Sequence, residues 1–222
     1  GRYNFLMEEK PDVNPNPFVV RGNGCSNSFC WVLFACLSVV FTCNKAYYFQ
    51  KENYIKAFGD VQMVQGDTLY LNSKYAEYNG MVKKAFATGN VIMRSPESTL
   101  VTDTINFDRN TQEAYYNSFG TITSKENTLK SKSGRYYANE KKFRFLTAVT
   151  ITNPKYTIKS NHLDYYTNSG HSYLFGPSTI TSKTNYIYTE KGFYDTKKNL
   201  AHFLRKSYIK YQFKRRLHRT AT

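Results

Sequence analysis

The chain is poor in the residues from which most active sites are built. Its 222 residues include four histidines and four cysteines. The histidines are scattered at His162, His171, His202 and His218. No Ser/His/Asp spacing, glycine-rich phosphate loop or metal-ligand cluster stands out. We therefore expect no catalysis, no cofactor and no bound metal.

Cysteine is absent from everything after residue 43. Cys25, Cys30, Cys36 and Cys43 lack the paired spacing of a zinc site, and no histidine lies near them. A disulfide among them and a set of free buried thiols remain the two alternatives.

A hydrophobic run long enough to span a bilayer is also missing. The longest candidate, residues 29–41, falls short of the roughly 20 apolar residues that a membrane helix needs. We expect residues 1–39 to form a leader, either an imperfect export or anchor segment that runs into the first strand, or an irregular segment.

Helical periodicity is lacking as well, and strand-forming residues take its place. The chain has 20 tyrosines and 16 phenylalanines, and its formal net charge is +15. The composition is typical of strands and turns. The charge favours an anionic partner or surface.

A repeat of 29 residues runs along most of the chain. Its first column holds Leu71, Leu100, Leu129, Ile158 and Ile187. A small hydroxyl residue follows two positions later, an aromatic residue seven positions later, and Met93, Ile122, Ile151, Ile180 and Ile209 stand 22 positions later. Such a period indicates one supersecondary unit stacked on itself. We expect one repeat domain over residues 40–213 and a basic tail over residues 214–222.

Within one copy, apolar residues alternate with a period of two. Phe143, Phe145, Thr147, Val149 and Ile151 share one face, which indicates a strand. The first half of each copy changes parity between Ser131 and its neighbours Gly134 and Tyr136, which indicates a corner. Each copy is predicted to be strand, corner, strand, turn, strand. The fold class is therefore all-β: an elongated, repeat-built β-jelly roll (β-taco) of stacked antiparallel strands, or alternatively a β-solenoid.

Three segments resemble the OstA-like family, the β-jelly-roll proteins of lipopolysaccharide transport. Residues 57–61 (AFGDV) and 87–91 (ATGNV) resemble one strand of that family, and residues 128–137 (TLKSKSGRYY) resemble another. The resemblance covers residues 40–210. It implies a periplasmic protein, free or attached to the membrane, that holds lipopolysaccharide acyl chains in its interior and passes the lipid toward the outer membrane. It also implies partners of similar fold joined through edge strands, and end-to-end self-association.

The candidate site follows from this resemblance and from the alternation. The expected lipid-binding interior is Met93, Ile122, Phe145, Val149, Ile151, Leu174, Ile180, Phe203 and Ile209. Small inward residues such as Ala85, Ala87, Gly120 and Gly176 are expected to leave room, because a filled core would use bulk. The expected phosphate-contacting edge is Lys83, Lys84, Lys141, Lys142, Lys197 and Lys198, which recur beside turns; a solvated edge that blocks strand pairing is the alternative.

Other functions remain as alternatives. Tyrosines beside lysines could serve a polyanion or nucleic-acid binder, but no recognition motif for nucleic acid is present, so we do not expect a nucleic-acid partner. A β-solenoid could serve as a surface adhesin. A β-helix enzyme acting on polysaccharide would need carboxylates such as Asp103, Asp108, Asp164 and Asp195. Turns favour aspartate for backbone reasons, which makes the enzyme the least favoured alternative.

Overall fold

The computed structural model describes residues 18–21, 39–65, 69–195, 198 and 200–211. These residues form strands and turns and include no helix. The strands are β1 (Phe18–Arg21), β2 (Val39–Thr42), β3 (Lys45–Phe49), β4 (Tyr54–Gln65), β5 (Leu69–Asn79), β6 (Lys84–Arg94), β7 (Thr99–Asp108), β8 (Glu113–Tyr116), β9 (Gly120–Ser124), β10 (Asn127–Ser131), β11 (Ser133–Tyr137), β12 (Lys142–Thr152), β13 (Tyr156–Tyr166), β14 (His171–Ser182), β15 (Asn185–Asp195), β16 (Leu200–Phe203) and β17 (Ser207–Tyr211).

The sheet is a continuous antiparallel meander. Long strands pair with the long strands before and after them in the chain, as in β4–β5, β5–β6 and β6–β7. Where a long strand is interrupted, its two pieces pair with the same neighbour: β2 and β3 both pair with β4, and β16 and β17 both pair with β15. The all-β jelly roll is confirmed. The β-solenoid is wrong, because consecutive strands run antiparallel and do not stack as parallel coils.

The 29-residue repeat is visible in the strand boundaries. Strands that begin a second half-copy start 29 residues apart, at Lys84, Glu113, Lys142, His171 and Leu200. One copy is therefore two long strands and the turns that join them. Within the segment expected to be a leader, Phe18–Arg21 forms β1 and pairs with β3. Val39, the last residue of that leader, begins β2. Residues 1–17 and 22–38 and the expected basic tail lie outside the described residues.

Each long strand bends near its middle, and the two strands of a copy bend in different ways. In β5 the buried positions are Leu71 and Ser73, then Ala76 and Tyr78, so the parity changes at the bend as predicted. In β12 a bulge interrupts the pairing with β13 between Leu146 and Val149. The sequence pattern did not show this second bend. Phe145 and Val149 keep the same parity on either side of the bulge, but Thr147 between them is exposed and not inward as the alternation predicted.

The hydroxyl column of the repeat lies at these bends. In four copies the hydroxyl donates to a main-chain carbonyl two residues away, which a bend leaves without a ladder partner, and in the third copy Thr102 donates to the carbonyl of Phe119 at 2.7 Å. The bonds are Ser73 to Tyr75 at 3.0 Å, Ser131 to Ser133 at 3.0 Å, Ser160 to His162 at 3.1 Å and Thr189 to Lys191 at 2.9 Å. The small hydroxyl therefore recurs because the corner needs a donor that fits in a buried space.

The bends divide the sheet into two arms that pack face to face. The isoleucine arm carries the first and last columns of the repeat, which are direct cross-strand partners: Leu129, Ile151, Ile158, Ile180, Ile187 and Ile209 follow one another across the sheet. The tyrosine arm carries the aromatic column, Tyr78, Phe107, Tyr136, Tyr165 and Tyr194. Side chains of both arms meet in two apolar clusters.

The interior is more tightly closed in the early copies than in the later ones. Leu71 and Leu100 are 2% and 7% exposed, whereas the equivalent Leu129, Ile158 and Ile187 are half-buried. The row of the tyrosine arm nearest the bend explains the difference. It holds Ala46, Ala57, Ala76 and Ala87 in the early copies, then Ile105, and Phe145, Leu163 and Leu174 in the later ones. Alanine lets the arms approach each other, and the larger side chains hold them apart.

Gly120, which was expected to leave room, and the corner glycine Gly134 both accommodate an aromatic ring. A Cβ at Gly120 or Gly134 would lie 2.5 Å from the ring of Tyr116. Tyr116 is buried, and its hydroxyl lies 2.6 Å from Ser131 Oγ. The expectation that inward small residues mark the free space is therefore wrong for Gly120, as it is for the tightly packed Ala87.

Candidate functional site

A cavity of about 950 Å³ lies between the arms in the later copies. Its wall is apolar and takes residues from both arms. The wall consists of Ile122, Leu129, Phe143, Phe145, Ile151, Ile158, Leu163, Leu174, Ile180, Ile187 and Ala201. A close-packed core leaves few voids larger than one water molecule, so a space of this size is not ordinary packing.

Polar residues of the arm tips form the rim of this cavity. The isoleucine arm contributes Glu97, Ser98, Ser124, Asn127, Lys155, Tyr156, Ser182 and Asn185, and the tyrosine arm contributes Thr167, Ser172 and Tyr194. Glu97, Asn127 and Lys155 are exposed, so the cavity reaches solvent along the isoleucine arm. Thr167 of the tyrosine arm is exposed as well, so the site is an apolar slot with a polar, solvent-exposed mouth, which suits a molecule that is apolar at one end and polar at the other.

Five of the nine residues expected to line the interior border this cavity: Ile122, Phe145, Ile151, Leu174 and Ile180. The other four lie elsewhere. Val149 is buried at the bend with 2% exposure, and Met93 packs against the early cluster. Phe203 is half-buried and Ile209 is 47% exposed, because β16 and β17 are the last described strands and no later strand covers them.

The part of the wall that comes from the first strand of each copy was not among the predicted site residues. Leu129, Ile158 and Ile187 belong to the first column of the repeat, and Tyr165 and Tyr194 belong to its aromatic column. The signal was present, because both columns recur every 29 residues. Residues that pair directly across two antiparallel strands lie on the same face of the sheet. The partners of Ile151 and Ile180 on the neighbouring strands therefore line the same interior.

The lysines of the expected phosphate edge lie in or next to turns at the tip of the tyrosine arm. Lys83, Lys141 and Lys198 are exposed, and Lys197 lies outside the described residues. Lys84 is paired with Asp108 at 3.4 Å.

Lys142 differs from these exposed lysines. It is buried, contacts Glu140, and lies 4.6 Å above the ring of Tyr137. The hydrogen bond to Glu140 raises the pKa of Lys142. Lys84 and Lys142 therefore already have acidic partners within the fold.

Asp164 joins two neighbouring strands, β12 and β13, through its contact with Arg144. It is buried, and Arg144 donates to both of its oxygens at 2.9 and 2.7 Å, while His162 Nε2 lies 3.0 Å away. Burial works to raise the pKa of Asp164, but the hydrogen bonds and charges of Arg144 and His162 lower it below its ordinary value. Asp195 has a similar neighbour in His171, at 3.3 Å.

The described part of the chain holds neither a cluster of metal-binding side chains nor a membrane-spanning helix. It holds no group of three or more His, Cys, Asp and Glu side chains that could bind a metal ion. It also holds no helix with the length and hydrophobicity needed to cross a membrane. Of the four cysteines, Cys43 is buried in the early cluster. Cys25, Cys30 and Cys36 lie outside the described residues.

Comparison with known proteins gives one family and a weak structural likeness. The model of the family described as OstA-like protein matches residues 26–161. Among solved structures, the chain is similar to LptH of Pseudomonas aeruginosa, the LptA homologous periplasmic component of the lipopolysaccharide transport device. The identity is 13%, over 66% of this chain and 94% of that one, with a TM-score of 0.29, too low for a detailed structural comparison. No curated protein matches the chain.

Proposed function

This chain belongs to the OstA-like protein family, and from that premise we propose that it binds lipopolysaccharide in the periplasm and passes it toward the outer membrane. The acyl chains lie in the slot between the two arms, and the sugar and phosphate groups lie at its rim. The protein acts as a carrier or bridge and not as an enzyme.

The observation that carries this proposal is the cavity of about 950 Å³ with an apolar wall. That volume is at the upper end of the range for small-molecule sites, about 300–1,000 Å³. Burying a methylene group contributes about 0.8 kcal/mol, so ten methylene groups contribute about 8 kcal/mol before the cost of immobilising the chain. The wall supplies no ring of polar groups that would require a hydrophilic ligand.

The nucleic-acid alternative loses support from the position of the tyrosine column. Single-strand binders stack bases on exposed rings that lie beside a basic groove. Tyr78 is buried in the early cluster, and Tyr165 and Tyr194 border the apolar cavity. The rings of this column therefore face the interior of the jelly roll and are not presented beside the lysines.

Partners of similar fold could join the chain at its last described strands. β16 and β17 pair with β15 on one side, and among the described residues no strand pairs with their other edge. Open edges accept strands from other chains. We include edge-strand pairing with other jelly-roll transport proteins, and end-to-end self-association, in the proposal. Sedimentation that shows a monomer at every concentration, with no binding to a jelly-roll partner, would contradict this part.

A cavity-filling variant tests the lipid proposal. Ile180→Trp places a larger side chain in the slot, and Thr181→Trp places the same side chain at the exposed next position as the matched control. Binding is measured by displacement of a fluorescent fatty acid with purified lipopolysaccharide. Ile180→Trp should weaken lipopolysaccharide binding at least tenfold, and Thr181→Trp should leave it within twofold. Equal binding by the two variants would show that the lipid does not occupy the slot.

A further inference from the structure

The two edges of the slot differ in chemistry, and the difference orients the ligand. Both charged residues of the cavity lining, Glu97 and Lys155, belong to the isoleucine arm, whereas the polar lining residues of the tyrosine arm at the opposite rim are uncharged. Lys155 belongs to the isoleucine-arm edge, and it is the lysine among the residues that line the cavity. We infer that Lys155 binds the anionic headgroup, a phosphate or carboxylate, of the lipid whose chains fill the slot. This inference rests on the proposed function and assigns the headgroup to the edge opposite Lys83 and Lys141.

The turn that carries Lys155 is held in place by its neighbours. Asn153 N–H donates to the carbonyl of Tyr156 at 2.9 Å, and Tyr156 N–H donates back to Asn153 at 3.2 Å. Asn153 Oδ1 accepts the Lys155 N–H at 2.9 Å, and Pro154 between them fixes its own φ. Asn153 Nδ2 also donates to Asn127 Oδ1 of the next turn at 2.9 Å. These hydrogen bonds fix the main chain of Lys155 at the rim, so its side chain extends from a defined position.

The ammonium group of Lys155 is available for an external anion. In the part of the chain that the structure describes, Lys155 forms no ion pair, whereas Lys84 and Lys142 pair with Asp108 and Glu140. Lys125 and Lys183 stand exposed in the neighbouring turns of the same edge. Acidic residues are also present there: Glu97 borders the cavity, and Glu126 follows Lys125.

The groups around Lys155 complement a phosphorylated sugar. Ser124, Asn127, Ser182 and Asn185 border the cavity on the same edge and supply hydroxyl and amide groups. An ammonium group forms charge-assisted hydrogen bonds with phosphate oxygens, and neutral donors can bind the remaining oxygens or sugar hydroxyls. Because the apolar wall begins directly inside this rim, a headgroup at Lys155 leaves its acyl chains in the slot.

The test compares one lysine from each edge. Lys155→Glu and Lys141→Glu reverse the charge at two exposed turn lysines, and Lys141 is the matched control on the tyrosine arm. The probes are a phosphorylated acylated disaccharide and the same lipid after enzymatic dephosphorylation. Lys155→Glu should weaken binding of the phosphorylated lipid about tenfold, the scale of one charge-assisted hydrogen bond. It should leave the dephosphorylated lipid within twofold, and Lys141→Glu should leave both within twofold.

The other outcomes overturn the assignment in distinguishable ways. If Lys141→Glu weakens the phosphorylated lipid and Lys155→Glu does not, the headgroup lies on the opposite edge. Equal weakening by both variants means diffuse charge attraction with no localised headgroup. If the dephosphorylated lipid binds and Lys155→Glu changes nothing, this inference fails and the proposed function stands. If neither lipid binds the unmodified protein, both fail. Tight binding of inorganic phosphate alone, abolished by Lys155→Glu, would indicate a phosphate site independent of lipid.

Discussion

Replacing Thr147 by glycine should make this protein more stable. At the bend of β12, Thr147 and Ala148 have φ values of 64° and 52°, a left-handed conformation that side chains with a Cβ disfavour. The corresponding bends of other copies use glycine, at Gly59, Gly89 and Gly176, with φ values of 71°, 82° and 77°. The fourth copy thus keeps the backbone of the bend without the residue that suits it.

The expected gain follows from two opposing terms. A left-handed residue with a Cβ costs roughly 1–2 kcal/mol. Glycine in a strand costs about 0.5–1 kcal/mol of chain entropy relative to alanine. Thr147 is exposed, and the main-chain bond from Lys132 N–H to its carbonyl, at 2.9 Å, survives the substitution. The net gain is about 1 kcal/mol, and the unfolding midpoint should rise by about 2–4 °C for a chain of this size.

The assay is thermal and urea unfolding of Thr147→Gly beside two controls. Thr157→Gly makes the same change in the regular part of β13, where only the entropic cost remains, so it should lower the free energy of unfolding. Gly89→Thr should also destabilise, because its Cβ would lie 2.8 Å from Lys74 Cβ at a φ of 82°. If Thr147→Gly destabilises as much as Thr157→Gly, the strain argument is wrong.

Two further predictions concern buried polar groups. Thr189→Val should lower the free energy of unfolding by about 1–3 kcal/mol, measured by urea unfolding, because the Thr189 hydroxyl donates to the carbonyl of Lys191 and accepts from the Ser207 hydroxyl. Thr189→Ser keeps the hydroxyl and should remain close to the parent. A Val variant as stable as the Ser variant would contradict the role of this hydroxyl at the corner. Asp164 has a lowered pKa in the fold, so its stabilising contribution is present above the unfolded value of about 3.9 and is lost as pH falls through the folded value. Asp164→Asn should therefore flatten the dependence of the urea midpoint on pH below about 4, and an unchanged acid dependence would contradict the pairing with Arg144.

The sequence was sufficient to predict the strand array because its columns are cross-strand partners. Residues 29 apart occupy equivalent places on one face, so Ile151 and Ile180 both follow from the period. The second bend of each copy was not predictable from alternation, since the buried residues on either side of the bulge at Thr147 and Ala148 keep the same parity.

The position of the cavity was harder to predict than the strands. Small inward residues were expected to mark free space, but Ala87 lies in the tightly packed copies, whereas Phe145 and Leu174 border the cavity. Space between two arms depends on how far apart their backbones stand, and bulky side chains near the bend increase that separation. The headgroup edge was missed for a related reason: sequence shows that Lys142 is near a turn but not that it is buried against Glu140.

Photo-crosslinking tests the central claim most directly. A photoreactive phenylalanine analogue at Phe143, which is half-buried and borders the cavity, should capture labelled lipopolysaccharide. The same analogue at Lys130, exposed on the opposite face of the sheet from Leu129, should not. Capture at Phe143 with none at Lys130 is the result that the account predicts. Equal capture at both positions, or capture at Lys130 alone, would show that the lipid adsorbs to the surface and would contradict it.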